Sequence, residues 1–144
     1  MTSTEPVSDF SQFPLKPELQ AAIAKMGYTT PTPIQTEVIP HLLGEEPRDL
    51  VALAQTGSGK TAAFGIPMVS KLDSSLNQVQ ALILSPTREL AAQIQDSLNP
   101  LAESLGLRVL TIYGGTSYDT QRQKLKRTPQ IIIATPGRLV DMMN

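Results

Sequence analysis

The apolar residues of the chain follow two spacings, and each spacing predicts a different element. After Pro17, the side chains of Leu19, Ile23 and Met26 recur at helical intervals, and Gly27 suits the end of that helix. Residues 81–85 instead form a short, continuous apolar run, which is typical of a buried strand. Along the chain, the two spacings predict helices over residues 17–26, 33–43, 60–72, 89–105, 118–127 and 136–143, and strands over residues 50–54, 81–85, 108–113 and 130–134.

The predicted strands are apolar on both faces and do not alternate with polar residues. Strands of this kind are buried on both sides, which predicts a parallel sheet covered by helices on both faces. The regular alternation of strand and helix predicts a doubly wound α/β fold. In such folds the working loops follow the carboxyl ends of the strands, so functional residues are expected there.

Composition narrows the function classes. The chain has 144 residues, 40% hydrophobic and 17% charged, as expected for one globular domain with a core. Its net charge of −1 excludes a polyanion binder that works through bulk charge, although local amides and a few arginines can still hold phosphates. Because the chain lacks cysteine, disulfide, zinc–thiolate and thiol chemistry are excluded.

The N-terminal segment does not have the pattern of a secretory signal. Residues 1–9 are polar and include Pro6, without the basic start and apolar centre of a secretory signal, so we expect a flexible tail. No apolar run approaches the roughly 20 residues that cross a bilayer. These features predict a soluble, cytoplasmic protein with no membrane partner.

A glycine-rich segment with the sequence Ala-Gln-Thr-Gly-Ser-Gly-Lys-Thr, residues 54–61, joins a predicted strand to a predicted helix. Its glycines let successive backbone N–H groups curl inward around an anion, and the new helix adds its positive end. Lys60 would reach the β- and γ-phosphates, and the Thr61 hydroxyl would bind Mg²⁺. The alternative is an ordinary glycine turn before a helix with an exposed lysine. The predicted nucleotide contacts are Gln55, Thr56, Gly57, Ser58, Gly59, Lys60 and Thr61, with Lys60 and Thr61 as the catalytic residues and Thr61 as the metal ligand.

A second candidate site lies upstream of the glycine-rich segment. The Gln35 amide carries an acceptor and two donors, so it can pair with both N6 and N7 of adenine. An aromatic side chain such as Phe10 can stack on the purine face. On these residues alone the alternative is favoured, in which Gln35 is a solvated helix residue and Phe10 and Phe13 anchor the tail.

These segments together resemble the DEAD-box RNA helicases over nearly the whole chain, from about Phe10 to Asn144. The family has an isolated aromatic, a glycine and then Pro-Thr-Pro-Ile-Gln, which match Phe10, Gly27 and residues 31–35. Its phosphate loop usually begins with alanine, as it does here at Ala54. The resemblance implies a RecA-like P-loop NTPase fold that uses ATP and Mg²⁺. It also implies that Phe10 stacks on adenine, that Gln35 reads its edge, and that Thr30 touches the nucleotide.

Three further segments resemble the family's RNA-binding motifs Ia, GG and Ib, and each follows a predicted strand. They are residues 86–91, 114–115 and 135–138. The resemblance implies that they hold the RNA backbone, which predicts little sequence preference. For a single arginine the alternative is an ion pair inside the fold, as between Arg88 and its neighbour Glu89. The implied RNA contacts are Pro86, Thr87, Arg88, Gly114, Gly115, Thr135, Pro136, Gly137 and Arg138.

The chain ends at Asn144, before the Asp-Glu-Ala-Asp motif and the second RecA-like domain of the family. The resemblance therefore implies an N-terminal RecA-like domain over residues 10–144, incomplete at its C-terminus, from an ATP-dependent RNA helicase. We expect this chain alone to bind nucleotide weakly, without hydrolysis or unwinding. Two alternatives stay open: a non-catalytic nucleotide- or RNA-binding module from a truncated gene product, and another P-loop ATPase such as a DNA helicase. The basic helix with Arg122, Lys124, Lys126 and Arg127 is interpreted as a solvated surface, with RNA or partner binding as its alternative.

Overall fold

The computed structural model describes residues 7–45, 49–53, 59–114 and 118–143. The chain divides into two compact units, Met1–Lys71 and Leu72–Asn144. No helix in the described part of the chain is both long enough and apolar enough to cross a bilayer.

The first unit is helical. A short 3₁₀ helix, Phe10–Gln12, is followed by α1 (Pro17–Lys25), α2 (Pro33–Leu43) and α3 (Lys60–Lys71). Proline stands at the start of both α1 and α2, where its missing N–H costs no hydrogen bond. Helices α2 and α3 pack against each other, and the fully buried side chains of this unit include Ile39, Ile66 and Val69.

The second unit is a parallel α/β layer. Its elements are β1 (Ala81–Leu84), α4 (Arg88–Ser104), β2 (Val109–Ile112), α5 (Tyr118–Leu125), β3 (Ile131–Ala134) and α6 (Pro136–Met143). The three strands are parallel in the order β1-β3-β2, so β3 is central. All of β3 is buried, which is why its sequence is a continuous run of isoleucine ending in alanine.

Helices cover both faces of this sheet. On one face, the Thr111 hydroxyl of β2 donates a hydrogen bond to Gln95 Oε1 of α4, at 2.7 Å. Alternate residues of β2 point to the other face. There they join a core cluster of Leu110, Ile112, Ile132 and Ala134, against which Leu125 of α5 and Leu139 and Met142 of α6 pack. The predicted parallel sheet with helices on both faces is confirmed.

The strand predicted over residues 50–54 was wrong for the residues that the structure describes. Residues 50–53 form no strand, and the side chains of Val51 and Leu53 are 89% and 91% exposed. A strand exists only through hydrogen bonds to a neighbouring strand, and the described residues of the first unit contain no other extended segment that pairs. The prediction that every strand is buried on both faces was also wrong for β1, where the side chains of Leu82 and Leu84 are half exposed.

The central strand should dominate the stability of the second unit. Replacing Ile133 with valine removes one buried methylene from a side chain that is fully buried, and we expect a loss of about 1 kcal/mol in the free energy of unfolding. Val140→Ala on the exposed side of α6 is the control and should cost far less. Urea unfolding of both variants measures the difference. Equal losses would contradict the placement of the core at β3.

Candidate functional site

The start of α3 presents the donors that a phosphate needs. Gly59 has a φ of +86°, a conformation that favours glycine, and the helix begins at the next residue, Lys60. The first turn of a helix leaves backbone N–H groups unpaired, and its dipole is positive there. Lys60 is exposed and Thr61 is partly buried in this turn. The other predicted phosphate-loop residues, Gln55, Thr56, Gly57 and Ser58, lie outside the described residues, as does Ala54.

Gln35 connects the segment before α2 to this turn. Its side chain is 1% exposed, so its alternative reading as a solvated residue was wrong. Its Oε1 accepts a hydrogen bond from the Thr32 backbone N–H at 2.8 Å, and its Nε2 donates to the Gly59 carbonyl at 3.2 Å. The candidate base reader is therefore held directly against the end of the candidate phosphate loop.

The contact between Gln35 and Gly59 leaves no room for a side chain at position 59. A Cβ added there would clash with Gln35 Nε2 and lie 3.3 Å from Thr32 Oγ1. That Thr32 hydroxyl is buried, and its O–H has no acceptor among the described residues. A buried, unpaired hydroxyl is costly, and one placed beside a glycine cradle fits a ligand with polar atoms. Sequence reasoning missed Thr32, although its position next to Pro33 and Gln35 was a usable signal.

Phe10 is buried in this structure. Only 2% of it is exposed, and its ring packs edge-on against Phe13 and at a tilt against Tyr28, with centroid distances of 5.7 Å in both cases. Its backbone N–H donates to the Thr29 carbonyl at 3.0 Å. This position matches the alternative reading of Phe10 as an anchor. Stacking of Phe10 on adenine stays a prediction, and so does the contact of Thr30, which is exposed beside this cluster.

Side-chain hydrogen bonds fasten the segment that carries Phe10. Asp9 caps the 3₁₀ helix, and its Oδ1 accepts from the Ser11 backbone N–H at 2.7 Å. The hydrogen bonds from Ser11 hold the pKa of the Asp9 carboxyl below its usual value. Gln20 Nε2 of α1 donates to the carbonyls of both Phe10 and Phe13. The local sequence thus fixes the aromatic residue next to the segment that leads to Gln35.

A cavity of about 540 Å³ lies between α2 and α3, with Lys60 in its lining. The rest of the lining is mostly apolar, including Ile34, Val38 and Phe64. Such a lining does not supply the convergent donors that a triphosphate needs. The exposed start of α3, and not this cavity, is therefore the better candidate for a phosphate site.

In the second unit, the three RNA-motif loops share one edge of the sheet. They follow β1, β2 and β3, and parallel strands place their carboxyl ends together. Two backbone hydrogen bonds lock these ends in register, from Ser85 N–H to the Ala134 carbonyl and from Thr135 N–H to the Ile112 carbonyl, both at 2.9 Å. The predicted RNA contacts in the described residues therefore lie side by side.

Thr87 is the N-cap residue of α4. Its hydroxyl accepts a hydrogen bond from the Leu90 backbone N–H at 3.1 Å, which caps the helix. Thr135 likewise precedes α6, and its carbonyl accepts from the Leu139 backbone N–H. Pro86, Thr87, Pro136 and Gly137 are exposed, and Arg138 is partly buried. Both helix starts are accessible from solvent.

Arg88 links two of the loops. Its guanidinium carbon lies 6.0 Å from the centre of the Tyr113 ring, directly before Gly114. The alternative pairing with Glu89 also exists, with 4.0 Å between Arg88 Nε and Glu89 Oε1. The two side chains are 56% and 74% exposed, and an ion pair in that setting contributes little. Arg88 is therefore available to another anion.

Two glycines at this edge face open space. A Cβ built on Gly114 or Gly137 would meet no atom within 4 Å, so packing inside the protein does not require glycine at either position. A glycine in such a place allows a ligand to approach the backbone closely. Gly115, the second residue of the doublet, lies outside the described residues.

Comparison with known proteins places the chain in a family. The model for DEAD/DEAH box helicases matches residues 32–144, which is most of the chain and includes the start of α3 and all three loops. This chain belongs to the DEAD/DEAH box helicase family.

Individual relatives of this helicase-family chain agree with that assignment. It is 47% identical to the ATP-dependent RNA helicase CshA of Listeria monocytogenes over 138 residues, covering 96% of this chain and 26% of the relative. It is 50% identical to the ATP-dependent rRNA helicase RRP3 of Lodderomyces elongisporus over 135 residues, covering 94% of this chain and 26% of the relative. The crystal structure of a DEAD box protein from Methanococcus jannaschii matches with a TM-score of 0.81 and 39% identity, covering 94% of this chain and 37% of that one. The chain thus spans about a quarter of the length of these curated relatives.

The contact between Gly59 and Gln35 can be tested by substitution. Gly59→Ala introduces both backbone strain and a clash with the Gln35 amide, whereas Gly27→Ala introduces strain alone, because Gly27 has the same φ of +86° but open space around its Cβ. We expect Gly59→Ala to cost at least about 1 kcal/mol more in the free energy of unfolding, as overpacking does. Urea unfolding of the two variants measures this.

A double variant separates the two contributions. If the clash is real, Gln35→Ala combined with Gly59→Ala should cost less than the sum of the single substitutions, because the clashing amide is gone. Additive losses, or equal losses for Gly59→Ala and Gly27→Ala, would argue against the contact.

Proposed function

We propose that this chain forms the ATP-binding and RNA-backbone-binding part of an ATP-dependent RNA helicase. The observation that carries the proposal is the buried Gln35 amide. This amide is the proposed base reader, and it donates a hydrogen bond to Gly59, the glycine directly before α3. An ordinary glycine turn before a helix has no need of such a connection. The names of the most similar relatives, which are ATP-dependent RNA helicases, support the same conclusion.

The residues at the start of α3 fit a nucleoside triphosphate with Mg²⁺. The Lys60 side chain and the backbone N–H groups of the first turn would hold the β- and γ-phosphates, and the Thr61 hydroxyl would be a ligand of the metal. Bound Mg²⁺ supplies neutralisation of the phosphate charge. Together these groups lower the energy of charge that develops during phosphoryl transfer, which is the catalytic role proposed for Lys60 and Thr61.

Adenine specificity is proposed to come from the segment before α2. Gln35 already donates and accepts hydrogen bonds through its amide, so pairing with adenine requires it to exchange or share these bonds. The buried Thr32 hydroxyl could form a hydrogen bond with a group that Gln35 releases. Phe10 would stack on the base only after its ring leaves the contact with Phe13 and Tyr28.

The loops at the carboxyl edge of the sheet are proposed to hold one RNA strand by its backbone. Their helix starts supply N–H donors, Arg88 supplies charge, and Gly114 and Gly137 permit close approach. None of these groups is arranged to read a particular base, so little sequence preference is expected. Contacts to the ribose 2′-hydroxyl would favour RNA over DNA.

We further propose that this chain by itself binds without turnover. It spans 26% of the relatives named above, and hydrolysis and unwinding by a relative can depend on groups outside the matched part. Hydrolysis by phosphoryl transfer needs a positioned water and several positive groups around the transferred phosphoryl group. One set of phosphate-binding groups does not provide all of these. A cytoplasmic site of action is part of the same proposal.

Nucleotide binding is the first test. Calorimetric titration of the chain with Mg-ADP and with Mg-GDP, after circular dichroism has established folding, should show at least about tenfold tighter binding of Mg-ADP. Lys60→Ala should weaken Mg-ADP binding by about tenfold or more, since a charge-assisted hydrogen bond is lost.

The control for this experiment is Lys25→Ala, which removes the same charge from the last turn of α1. It should leave Mg-ADP affinity unchanged. A folded chain that binds neither nucleotide, or binds both equally, would refute the adenine site.

RNA binding is tested through its salt dependence. The affinity of the chain for oligouridine should fall with rising salt, and Arg88→Ala should reduce the slope of log K against log salt by about 0.7, the value for one phosphate contact on a single strand. Lys16→Ala, which removes an exposed charge before α1, should leave the slope unchanged. A slope that Arg88→Ala does not alter would mean that Arg88 holds no phosphate.

A further inference from the structure

A groove of about 500 Å³ runs along β2, one of the two outer strands in the order β1-β3-β2. Its lining includes Tyr113 after the carboxyl end of β2 and Arg108 before the amino end, so it follows the whole strand. At about 3.3 Å per residue, the path between these two residues is roughly 16 Å long. The groove therefore connects the edge that carries the RNA-motif loops with the opposite edge of the same sheet.

The end of the groove near Arg108 is strongly basic. Arg108 is fixed by neutral acceptors: its Nη2 donates to the Thr128 carbonyl at 2.6 Å and to Asn77 Oδ1 at 3.0 Å. Lys124 and Arg127 line the same groove and are exposed. A neighbouring hollow of about 400 Å³ adds Lys126 beside Arg108 and Arg127.

These cations are not neutralised within the part of the chain that the structure describes. The described residues contain no carboxylate that pairs with Arg108, Lys124 or Arg127, and the one acidic residue in the described groove lining is Glu103, which is exposed. The chain as a whole has a net charge of −1, so this concentration of positive charge is local. A local cluster of unpaired cations at the end of a groove indicates an anionic occupant.

The middle of the groove offers uncharged donors. Gln95 and Asn99 lie one helical turn apart on α4 and share a face. The Thr111 hydroxyl donates to Gln95 Oε1, which orients the amide and leaves the Gln95 N–H donors without a partner among the described residues. Donors of this kind suit phosphate oxygens and ribose hydroxyls.

The other end of the groove is continuous with the proposed RNA edge. Tyr113 immediately precedes Gly114, and Arg88 lies over its ring. A tyrosine ring can stack on a base regardless of its identity. An RNA strand held at Gly114 and Arg88 therefore meets first an aromatic ring, then amide donors, and then the basic end.

We propose that the RNA strand held by the loops at the carboxyl edge continues through this groove along β2, with its phosphates bound by Lys124, Arg127 and Arg108. This inference rests on the proposed function, because it extends the RNA site of that proposal. Continuity with Gly114 and the presence of a stacking ring favour RNA over an acidic polypeptide, which would use the cations but not Tyr113. Contact with the backbone alone again predicts no sequence preference.

The test compares short and long RNA on the 144-residue chain. Oligouridines of about 5 and about 12 nucleotides, within the range that single-strand binding folds occupy, are titrated by fluorescence anisotropy. The longer RNA should bind at least about tenfold more tightly, since only it reaches the groove. In Lys124→Glu/Arg127→Glu this gain should disappear, and the slope of log K against log salt for the longer RNA should fall by about 1.4, the value for two phosphate contacts.

The matched control is Lys16→Glu/Lys25→Glu, which makes the same change in net charge on the first unit. This control should still bind the longer RNA more tightly than the shorter one, with the wild-type slope of log K against log salt. Equal losses in the two double variants would overturn the groove and assign the effect to net charge. Poly-glutamate that competes with the longer RNA in the wild type but not in Lys124→Glu/Arg127→Glu would also overturn it, in favour of an acidic protein partner.

The result for the shorter RNA separates this inference from the proposed function. If the wild type binds the short RNA and Arg88→Ala weakens it, but extra length adds nothing, the groove is refuted and the loop site stands. If the wild type binds neither RNA, both the loop site and the groove are refuted.

Discussion

The first unit depends on one buried amide. Gln35 is almost completely removed from solvent, so both ends of its amide must find partners, and they find them on the Thr32 N–H and the Gly59 carbonyl. This requirement fixes the start of α2 against the start of α3. It also forbids a side chain at position 59, because the amide occupies the space of a Cβ. A sequence change at either residue therefore affects the other, so the candidate base reader and the end of the candidate phosphate loop form one structural unit.

The second unit depends instead on strand register. Ala81, Ile131 and Val109 are aligned across the three parallel strands, so all three strands end at the same level. The loops that follow the three strands therefore lie at the same edge of the sheet, independently of the loop sequences. This explains how short motifs that are far apart in the chain, such as residues 86–88 and 135–138, become neighbours. The register also aligns the amino ends, where Arg108 and Thr128 meet.

Most helices and strands were predictable because their signals are local. Helical spacing, proline at the first turn and short apolar runs predicted α2 and α6 at their observed bounds, and the remaining α-helices and the three strands within about two residues, whereas the 3₁₀ helix was not predicted. The strand over residues 50–54 was not predictable in this way, since pairing depends on a distant partner. Burial of Gln35 was missed for a related reason: a polar side chain is buried only when the fold supplies its partners, and Gly59, which accepts from Gln35, lies directly before α3. The unpaired Thr32 hydroxyl likewise follows from tertiary structure.

Net charge gives a misleading picture of this chain's relation to polyanions. A value of −1 excludes attraction through bulk charge, yet binding to a phosphate backbone depends on which cations lack a carboxylate partner and on where they lie. At the carboxyl edge, backbone donors would provide most of the contacts, and only the contact with Arg88 would depend strongly on salt. Along β2 the contacts would come from side-chain cations, and these contacts are screened as salt rises. One strand that crosses both surfaces would thus be positioned by the first and held more tightly by the second. Ionic strength would then change how far the strand stays bound without changing its register at the loops.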